Sequence, residues 1–216
     1  MEHLRADVLR LVGEFPETRM LVYPEFHTCH ADGSRTERES QYQQMAQPLN
    51  GPRMEALRDI AREAGVWLLP GTVVERGPEG ELFNTAVVLS PDGELAASYR
   101  KIFPWRPTEP FHPGDAFTTF DIPEVGRVGL AICYDLWFPE VVRHLAWLGA
   151  EVVVIPTQTT TSDREQELVL ARRPPSTTRS TSSASTHPTP SGPGEASPWT
   201  PRAWSAARRS AGPPPC

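Results

Sequence analysis

The composition of the chain changes abruptly at residue 172. The 45 residues from Arg172 to Cys216 contain no Leu, Ile, Val, Met, Phe or Tyr, and they hold 10 of the 24 prolines. Such a segment lacks the apolar side chains whose burial offsets the entropy cost of folding. The folded domain is therefore expected within residues 1–172, and residues 173–216 are predicted to be a disordered, low-complexity tail.

The charge divides at the same place. The 45 residues from Arg172 to Cys216 carry six Arg and one Glu, a net charge of +5, so residues 1–171 carry −11 of the total of −6. An acidic body disfavours a nucleic-acid backbone as partner. No apolar run approaches the ~20 residues that a membrane helix needs, and no secretory signal is visible. Three widely spaced cysteines argue against a disulfide framework. We therefore expect a cytoplasmic protein with neither a nucleic acid nor a membrane as partner.

The hydrophobic pattern of residues 1–172 predicts a mixed α/β domain. Helical periodicity marks 2–15, 52–64, 139–148 and 164–171. Short apolar runs predict strands at 20–23, 66–74, 83–89, 95–99, 118–122, 127–132 and 151–155. The polar segment 29–42 is predicted to be a loop, and 101–116, rich in Pro and aromatic residues, a structured loop. Strands that alternate with helices and hairpins indicate the α/β class.

Three residues with complementary chemistry lie at or near the ends of predicted strands. They are Glu25, Lys101 and Cys133. Strand ends in an α/β sheet are where active sites collect. A carboxylate can act as the base that a thiol nucleophile needs. An ammonium group and a backbone N–H, here that of Tyr134, can stabilise the oxyanion of a tetrahedral intermediate.

Lys101 is the only lysine among 21 basic residues. A lysine is a compact point charge, whereas an arginine is a rigid fork that stays protonated. A site that needs one ammonium group beside a small oxyanion therefore favours lysine over arginine. The alternative is chance survival of one lysine in an arginine-biased composition.

Four sequence segments carry a resemblance to a known family. They are 20–26 (MLVYPEF), 99–105 (YRKIFPW), 109–114 (EPFHPG) and 129–140 (GLAICYDLWFPE). In this order they resemble the glutamate, lysine, second glutamate and cysteine motifs of the nitrilase superfamily of carbon–nitrogen hydrolases. The resemblance extends from residue 1 to about residue 172.

The resemblance implies a fold and an assembly. The fold is an α-β-β-α four-layer sandwich of two sheets between two layers of helices. We expect it to be incomplete, because the chain starts inside the first helix of the family and the resemblance stops after Arg172. A homo-oligomer of the family type, with sheets paired across a dimer, is the implied assembly.

The resemblance also implies a mechanism. Glu25 is the expected base, Cys133 the nucleophile that forms a thioester, and Lys101 with the Tyr134 N–H the oxyanion site. Glu109 is the expected supporting carboxylate beside the lysine. No metal or organic cofactor is implied.

The residues after the nucleophile bear on the substrate. True nitrilases of the family have Trp-Glu after the cysteine, whereas this chain has Tyr134-Asp135. That pattern is more similar to the amidase and carbamoylase branches, so a linear carboxylic amide or an N-carbamoyl compound is expected, with a nitrile as the alternative. Trp105, Phe111 and Trp137 are candidates to line the acyl pocket, although aromatic residues are more often part of the core.

Other interpretations stay open at this point. His27, Cys29 and His30 lie close together but lack the second ligand cluster of a metal site. The chain as a whole is either a C–N hydrolase or a catalytically inactive fragment.

The tail allows a specific explanation. When each codon's third base is read with the next codon's first two, residues 175–192 permit VDHAVYVVSVNAPDPVG, which contains a typical β-strand sequence. The hypothesis is that residues 173–216 result from a frameshift; the alternative is a genuine disordered linker or interaction segment.

Overall fold

The computed structural model describes residues 1–106, 108–159, 161–172, 181–187 and 203–204. The helices are α1 (Glu2–Glu14), α2 (Arg35–Met45), α3 (Pro52–Ala64), α4 (Pro139–Trp147) and α5 (Arg164–Arg172), with a 3₁₀ helix at Cys133–Trp137. The strands are β1 (Met20–Val22), β2 (Trp67–Leu69), β3 (Thr72–Arg76), β4 (Leu82–Leu89), β5 (Leu95–Arg100), β6 (Thr118–Ile122), β7 (Gly126–Leu130), β8 (Val152–Gln158), β9 (Thr181–His187) and β10 (Ala203–Trp204).

The strands form two sheets. In the first sheet the order is β10-β1-β2-β4-β3, and β5 also pairs with β4. In the second sheet the order is β6-β7-β8-β9. The β7–β8 and β8–β9 pairs are parallel, and α4 and α5 make the connections between their strands. Strands β4 and β5 form an antiparallel hairpin around residues 91–93.

The side chains of each strand alternate between two environments, as the strand period of two requires. In the first sheet Leu21 and Leu68 pack against α1 and α3, whereas Met20 and Leu69 face the second sheet. In the second sheet Val154 faces the first sheet, and its neighbours Val153 and Ile155 pack against α4. Helices, sheet, sheet and helices therefore stack as the expected α-β-β-α sandwich.

The predicted loop at 29–42 is wrong over its second half, where α2 begins. Ser34 and Glu37 form a capping box that satisfies the N-terminal N–H groups of α2. Tyr42 is the one buried residue of this helix. A helix with so little apolar surface leaves no stripe in the sequence, which is why periodicity missed it.

The predicted single strand at 66–74 is two strands, β2 and β3. Gly71 between them has φ of +89°, and a Cβ there would lie 1.9 Å from the carbonyl oxygen of Pro24. This close approach requires glycine and brings the end of β1 against the start of β3.

Two segments of the predicted disordered tail are strands. The backbone of β9 extends the second sheet in parallel with β8, and β10 pairs antiparallel with β1. Unpaired sheet edges accept a strand through backbone hydrogen bonds, whatever its side chains. The rest of the predicted tail lies outside the described residues.

The helices of the described ranges are all too short or too polar to cross a membrane.

Candidate active site

Glu25 lies in the turn that follows β1 and is 2% exposed. Its Oε1 accepts hydrogen bonds from Asn84 Nδ2 at 2.8 Å and Lys101 Nζ at 3.0 Å. Its Oε2 accepts the backbone N–H of Gln158 at 3.1 Å. The next residue, Phe26, has φ of +55° and donates its N–H to Thr72 Oγ1 at 3.0 Å. The turn is thus fixed against β3, and the carboxylate is held on both oxygens.

Lys101 follows β5 directly and is completely buried. Its backbone N–H donates to the Asn84 carbonyl at 2.9 Å, which continues the pairing of β5 with β4. Its Nζ contacts Glu25 Oε1 at 3.0 Å and Glu109 Oε1 at 2.6 Å. Burial lowers the pKa of Lys101, but the charges of Glu25 and Glu109 outweigh this and hold it well above its ordinary value. The lysine therefore stays charged.

Glu109 comes from the long loop after Lys101. Its Oε2 accepts the backbone N–H of Trp105 at 3.3 Å, so the carboxylate bridges the loop and the ammonium group. Arg106 holds the same loop by donating to the carbonyl groups of Glu109 and Phe111 at 3.1 and 2.6 Å. Burial, together with the nearby charge of Glu25, raises the pKa of Glu109, and Lys101 opposes this rise.

Cys133 opens the 3₁₀ helix shortly after β7 and has φ of +42°. Such a conformation is uncommon for a residue with a side chain. Its Sγ lies 3.9 Å from the carbonyl oxygen of Gln158. Burial, and then the charge of Glu25, raise the pKa of the Cys133 thiol well above its ordinary value, while Lys101 lowers it. The resting cysteine is therefore a neutral thiol.

These residues meet at one cavity of about 420 Å³. Glu25, Glu109 and Cys133 line it, and Lys101 lies beneath the first two. The lining also includes Trp105 and Trp137, two of the candidates for the acyl pocket, and Tyr134, whose backbone N–H is the expected oxyanion donor.

Phe111, a candidate for the pocket wall, lies elsewhere. It is fully buried and packs on Phe26 and Tyr42, with ring centroids 5.7 and 4.9 Å apart. Phe111 thus belongs to the small core cluster beneath α2. An aromatic residue is equally compatible with a pocket wall and with a core, so the residue type of Phe111 could not predict which of the two it joins.

His27, Cys29 and His30, the possible metal ligands after β1, each contact a different set of residues. His27 packs on the ring of Tyr23, and the Cys29 thiol donates to the Thr72 carbonyl at 3.3 Å. The His30 ring lies 2.8 Å from Asp32 Oδ1 and 3.0 Å from Gln158 Nε2. Across the described residues, no group of three or more His, Cys, Asp or Glu side chains is arranged to hold a metal ion.

The comparison with family models decides the relationship. The model of the carbon–nitrogen hydrolase family matches residues 6–176. This chain belongs to the carbon–nitrogen hydrolase family. The match contains the glutamate, lysine and cysteine segments from which the resemblance was inferred.

Relatives within and around this family are similar in sequence and fold. A formamidase of Bacillus thuringiensis is 31% identical to this chain over 160 residues. The aligned residues are 73% of this chain and 47% of the formamidase. Nit3 of Saccharomyces cerevisiae, from the nitrilase superfamily, has a TM-score of 0.66 at 28% identity and is matched over 62% of its length by 78% of this chain. An amidase from Nesterenkonia sp. AN1 has a TM-score of 0.55 at 25% identity, covering 74% of this chain and 61% of that one. The chain spans about half the length of the formamidases that it matches.

Sequence reasoning missed two residues that hold this candidate site together. Asn84 is fully buried and donates to Glu25. Gln158 acts through its main chain, because its N–H binds Glu25 and its carbonyl group lies beside Cys133. A polar Asn-Thr pair within the apolar strand β4 was a signal for Asn84. A backbone contact such as that of Gln158 leaves no trace in residue types.

Proposed function

We propose that this chain carries the active site of a hydrolase that cleaves the C–N bond of a linear carboxylic amide or an N-carbamoyl compound and releases ammonia. The observation that carries the proposal is the ammonium group of Lys101, held between Glu25 and Glu109 beside a cavity that contains Cys133. Similarity to a formamidase and an amidase supports the amide as the bond that is cleaved.

In the first step Cys133 becomes acylated. Because its raised pKa keeps the thiol protonated, attack needs a base, and the carboxylate of Glu25 is the candidate. Sulfur attacks the carbonyl carbon as Glu25 takes the Sγ proton. The C–N bond then breaks, Glu25 returns the proton to the departing nitrogen, and ammonia leaves a thioester behind.

The negative charge of the tetrahedral intermediate needs fixed donors. The Lys101 ammonium group and the backbone N–H of Tyr134 are the proposed pair. The carboxylates of Glu25 and Glu109 keep Lys101 charged in a buried place, so it needs no reorganisation when the oxyanion forms. Glu109 in this scheme holds the lysine and does not exchange protons with substrate.

In the second step water hydrolyses the thioester. Glu25 removes a proton from the water, whose oxygen attacks the acyl carbon. The C–S bond then breaks and Glu25 gives that proton to the sulfur. The product is a carboxylic acid from an amide and a carbamic acid from an N-carbamoyl compound. The site returns to its starting state without a metal or an organic cofactor in this scheme.

The proposed substrate is small because the cavity is about 420 Å³. Trp105 and Trp137 are the proposed walls for the acyl group, and Tyr134-Asp135 after the nucleophile favours an amide over a nitrile. The localisation in the cytoplasm and the homo-oligomer stay predictions.

A test is the release of ammonia from a panel of formamide, longer aliphatic amides, an N-carbamoyl amino acid and an aliphatic nitrile. We expect release from one of the first three classes, and loss of at least about 10³-fold in Cys133→Ala, because a nucleophile cannot be replaced by a methyl group. Cys29→Ala is the matched control, since Cys29 is 2% exposed and lies outside the proposed machinery.

Three results of that assay would decide against the proposal. If Cys133→Ala released ammonia as fast as the wild-type chain, Cys133 would not be the nucleophile. Hydrolysis of the nitrile alone would assign the chain to nitrile chemistry. A folded chain that releases no ammonia from any compound would favour the inactive fragment.

A further inference from the structure

Asp135 is a fully buried carboxylate next to the site, but it does not line the cavity. Its Oδ2 accepts the Tyr99 hydroxyl at 2.8 Å and the Ile132 backbone N–H at 2.8 Å. Its Oδ1 accepts the Phe103 backbone N–H at 2.9 Å. The sequence pattern singled out this residue only as a marker of substrate class.

The three donors come from two separate segments of the chain. Ile132 is the residue before Cys133, whereas Tyr99 and Phe103 stand two residues before and two residues after Lys101. The Tyr99 oxygen also accepts the Ile102 N–H at 3.4 Å. One carboxylate thus joins the backbone beside Cys133 to the backbone on both sides of Lys101.

Both segments that Asp135 connects need support from the surrounding structure. Cys133 has a positive φ, a conformation that persists only where the surrounding structure enforces it. The segment around Phe103 has neither helix nor strand to hold it. A buried carboxylate with three hydrogen bonds is rigid, because losing any one of them exposes an unpaired polar group to an apolar interior.

We propose that Asp135 is a positioning residue that fixes the Cys133 turn relative to the Lys101 segment, so that nucleophile and oxyanion site keep their reactive separation. This inference rests on the proposed function, since it assigns Asp135 a part in that same site. Asp135 touches neither substrate nor the reacting atoms and acts through the backbone on either side.

Asp135→Asn breaks the connection with a minimal change of shape. Its amide has one oxygen, and the NH₂ group must replace either Oδ1 or Oδ2. In the first case the Phe103 N–H faces a donor, and in the second the Ile132 N–H does. Tyr99→Phe is the milder second variant, because it removes the hydroxyl but leaves both backbone contacts in place.

The experiment measures kcat and KM for the best amide of the panel, and the rate at which iodoacetamide alkylates Cys133 between about pH 7 and pH 10, in the full chain. We expect Asp135→Asn to lower kcat by about 10- to 100-fold with KM nearly unchanged, since a misplacement of about 1 Å costs up to about 10²-fold. Tyr99→Phe should lower kcat by a few fold in the same direction.

The alkylation rate separates positioning from simple charge removal. Glu25, Lys101, Glu109 and Glu167 all act on the Cys133 thiol through their charges, and the two variants leave all four unchanged. Removing the negative charge of Asp135 would by itself favour the thiolate and speed alkylation. Moving Lys101 away from Cys133 would disfavour the thiolate and slow it at every pH, which is the result we expect.

Leu57→Ala is the control for lost stability. Leu57 is a residue of α3 whose side chain packs in the core between α1, α3 and the first sheet, and it does not line the cavity. It should lower the melting temperature and leave the alkylation profile unchanged. Unchanged or faster alkylation in folded Asp135→Asn would overturn the proposal, and so would an unaffected Tyr99→Phe if Asp135→Asn fails to fold. A wild-type Cys133 that reacts no faster than Cys29 would instead overturn the proposed function.

Discussion

Lys101 shows how one buried charge organises the site. The lysine has no solvent exposure, and two carboxylates replace the water that it has lost. Each carboxylate in turn needs the lysine, because a buried anion without a partner is costly. Glu25, Lys101 and Glu109 therefore form one unit whose members cannot be removed independently.

Lys101→Met tests this dependence. At neutral pH it should lower the free energy of unfolding by about 3–5 kcal/mol, because two buried carboxylates lose their cation. The pKa of Glu109 is already raised, by burial first, and losing Lys101 raises it further. A carboxyl group with a raised pKa stabilises the fold at low pH and loses that contribution as the pH rises. The deficit should therefore shrink from pH 7 to about pH 5 in urea denaturation.

Arg10→Met is the matched control for that substitution. Arg10 also lies between two carboxylates, those of Asp7 and Glu14, but Arg10 and Glu14 are exposed and Asp7 is only partly buried. Its replacement should change stability little at any pH, because exposed ion pairs contribute little. A deficit in Lys101→Met that does not depend on pH would contradict the account.

The residues with chemistry of their own could be predicted, and those that support them could not. Glu25, Lys101 and Cys133 are recognisable because their types and their places at strand ends are unusual together. Asn84 and Gln158 depend on which segments meet in space, and Gln158 contributes only backbone groups to Glu25 and Cys133. Residue type carries no information about such contacts.

Most helices and strands with a buried face were predicted to within one or two residues at each end, although β8 runs three residues beyond its predicted end. Helix α3 matches its prediction because Pro52 begins it and Gly65, with φ of +65°, ends it. Helix α2 was missed because a single buried residue, Tyr42, ties it to the protein. Strands β2 and β3 were merged, since the close approach of Gly71 to Pro24 is a tertiary contact.

Gly71→Ala tests how the break between β2 and β3 positions Glu25. A Cβ at this glycine would overlap the Pro24 carbonyl, so the turn that carries Glu25 must shift. We expect a loss of stability above about 1 kcal/mol and a fall in kcat, by urea denaturation and ammonia release. Gly13→Ala in α1 is the control, because nothing lies within 4 Å of its Cβ, and it should stabilise by about 0.5–1 kcal/mol. Similar behaviour of the two variants would contradict this account of the turn.

The chain as a whole joins an acidic domain to a tail of foreign composition. The strand β9 lies beside β8, in a sheet position that is normally apolar because parallel strands are covered on both faces. Its sequence, TSSASTH, has no large apolar residue. The apolar strand that the other reading frame permits falls in the same part of the chain, within 175–192. The four-layer order, by contrast, could be inferred from the resemblance, because both sheets and both helical layers draw on segments before residue 173.

The frameshift hypothesis makes a prediction about the second reading frame of the DNA across codons 172–192. The second frame should be open and should encode an apolar strand close to VYVVSVN. Sequencing the gene checks this directly. Stop codons in that frame, or a sequence without strand character, would leave the genuine polar linker as the explanation of the tail.

The thioester on Cys133 is the central claim, and trapping it with hydroxylamine tests that claim most directly. Hydroxylamine attacks a thioester in place of water and gives a hydroxamate, which forms a coloured complex with ferric iron. We predict hydroxamate from an amide substrate in the wild-type chain and none in Cys133→Ala, with Cys29→Ala like the wild type. Ammonia release without hydroxamate, or equal hydroxamate in Cys133→Ala, would contradict the account.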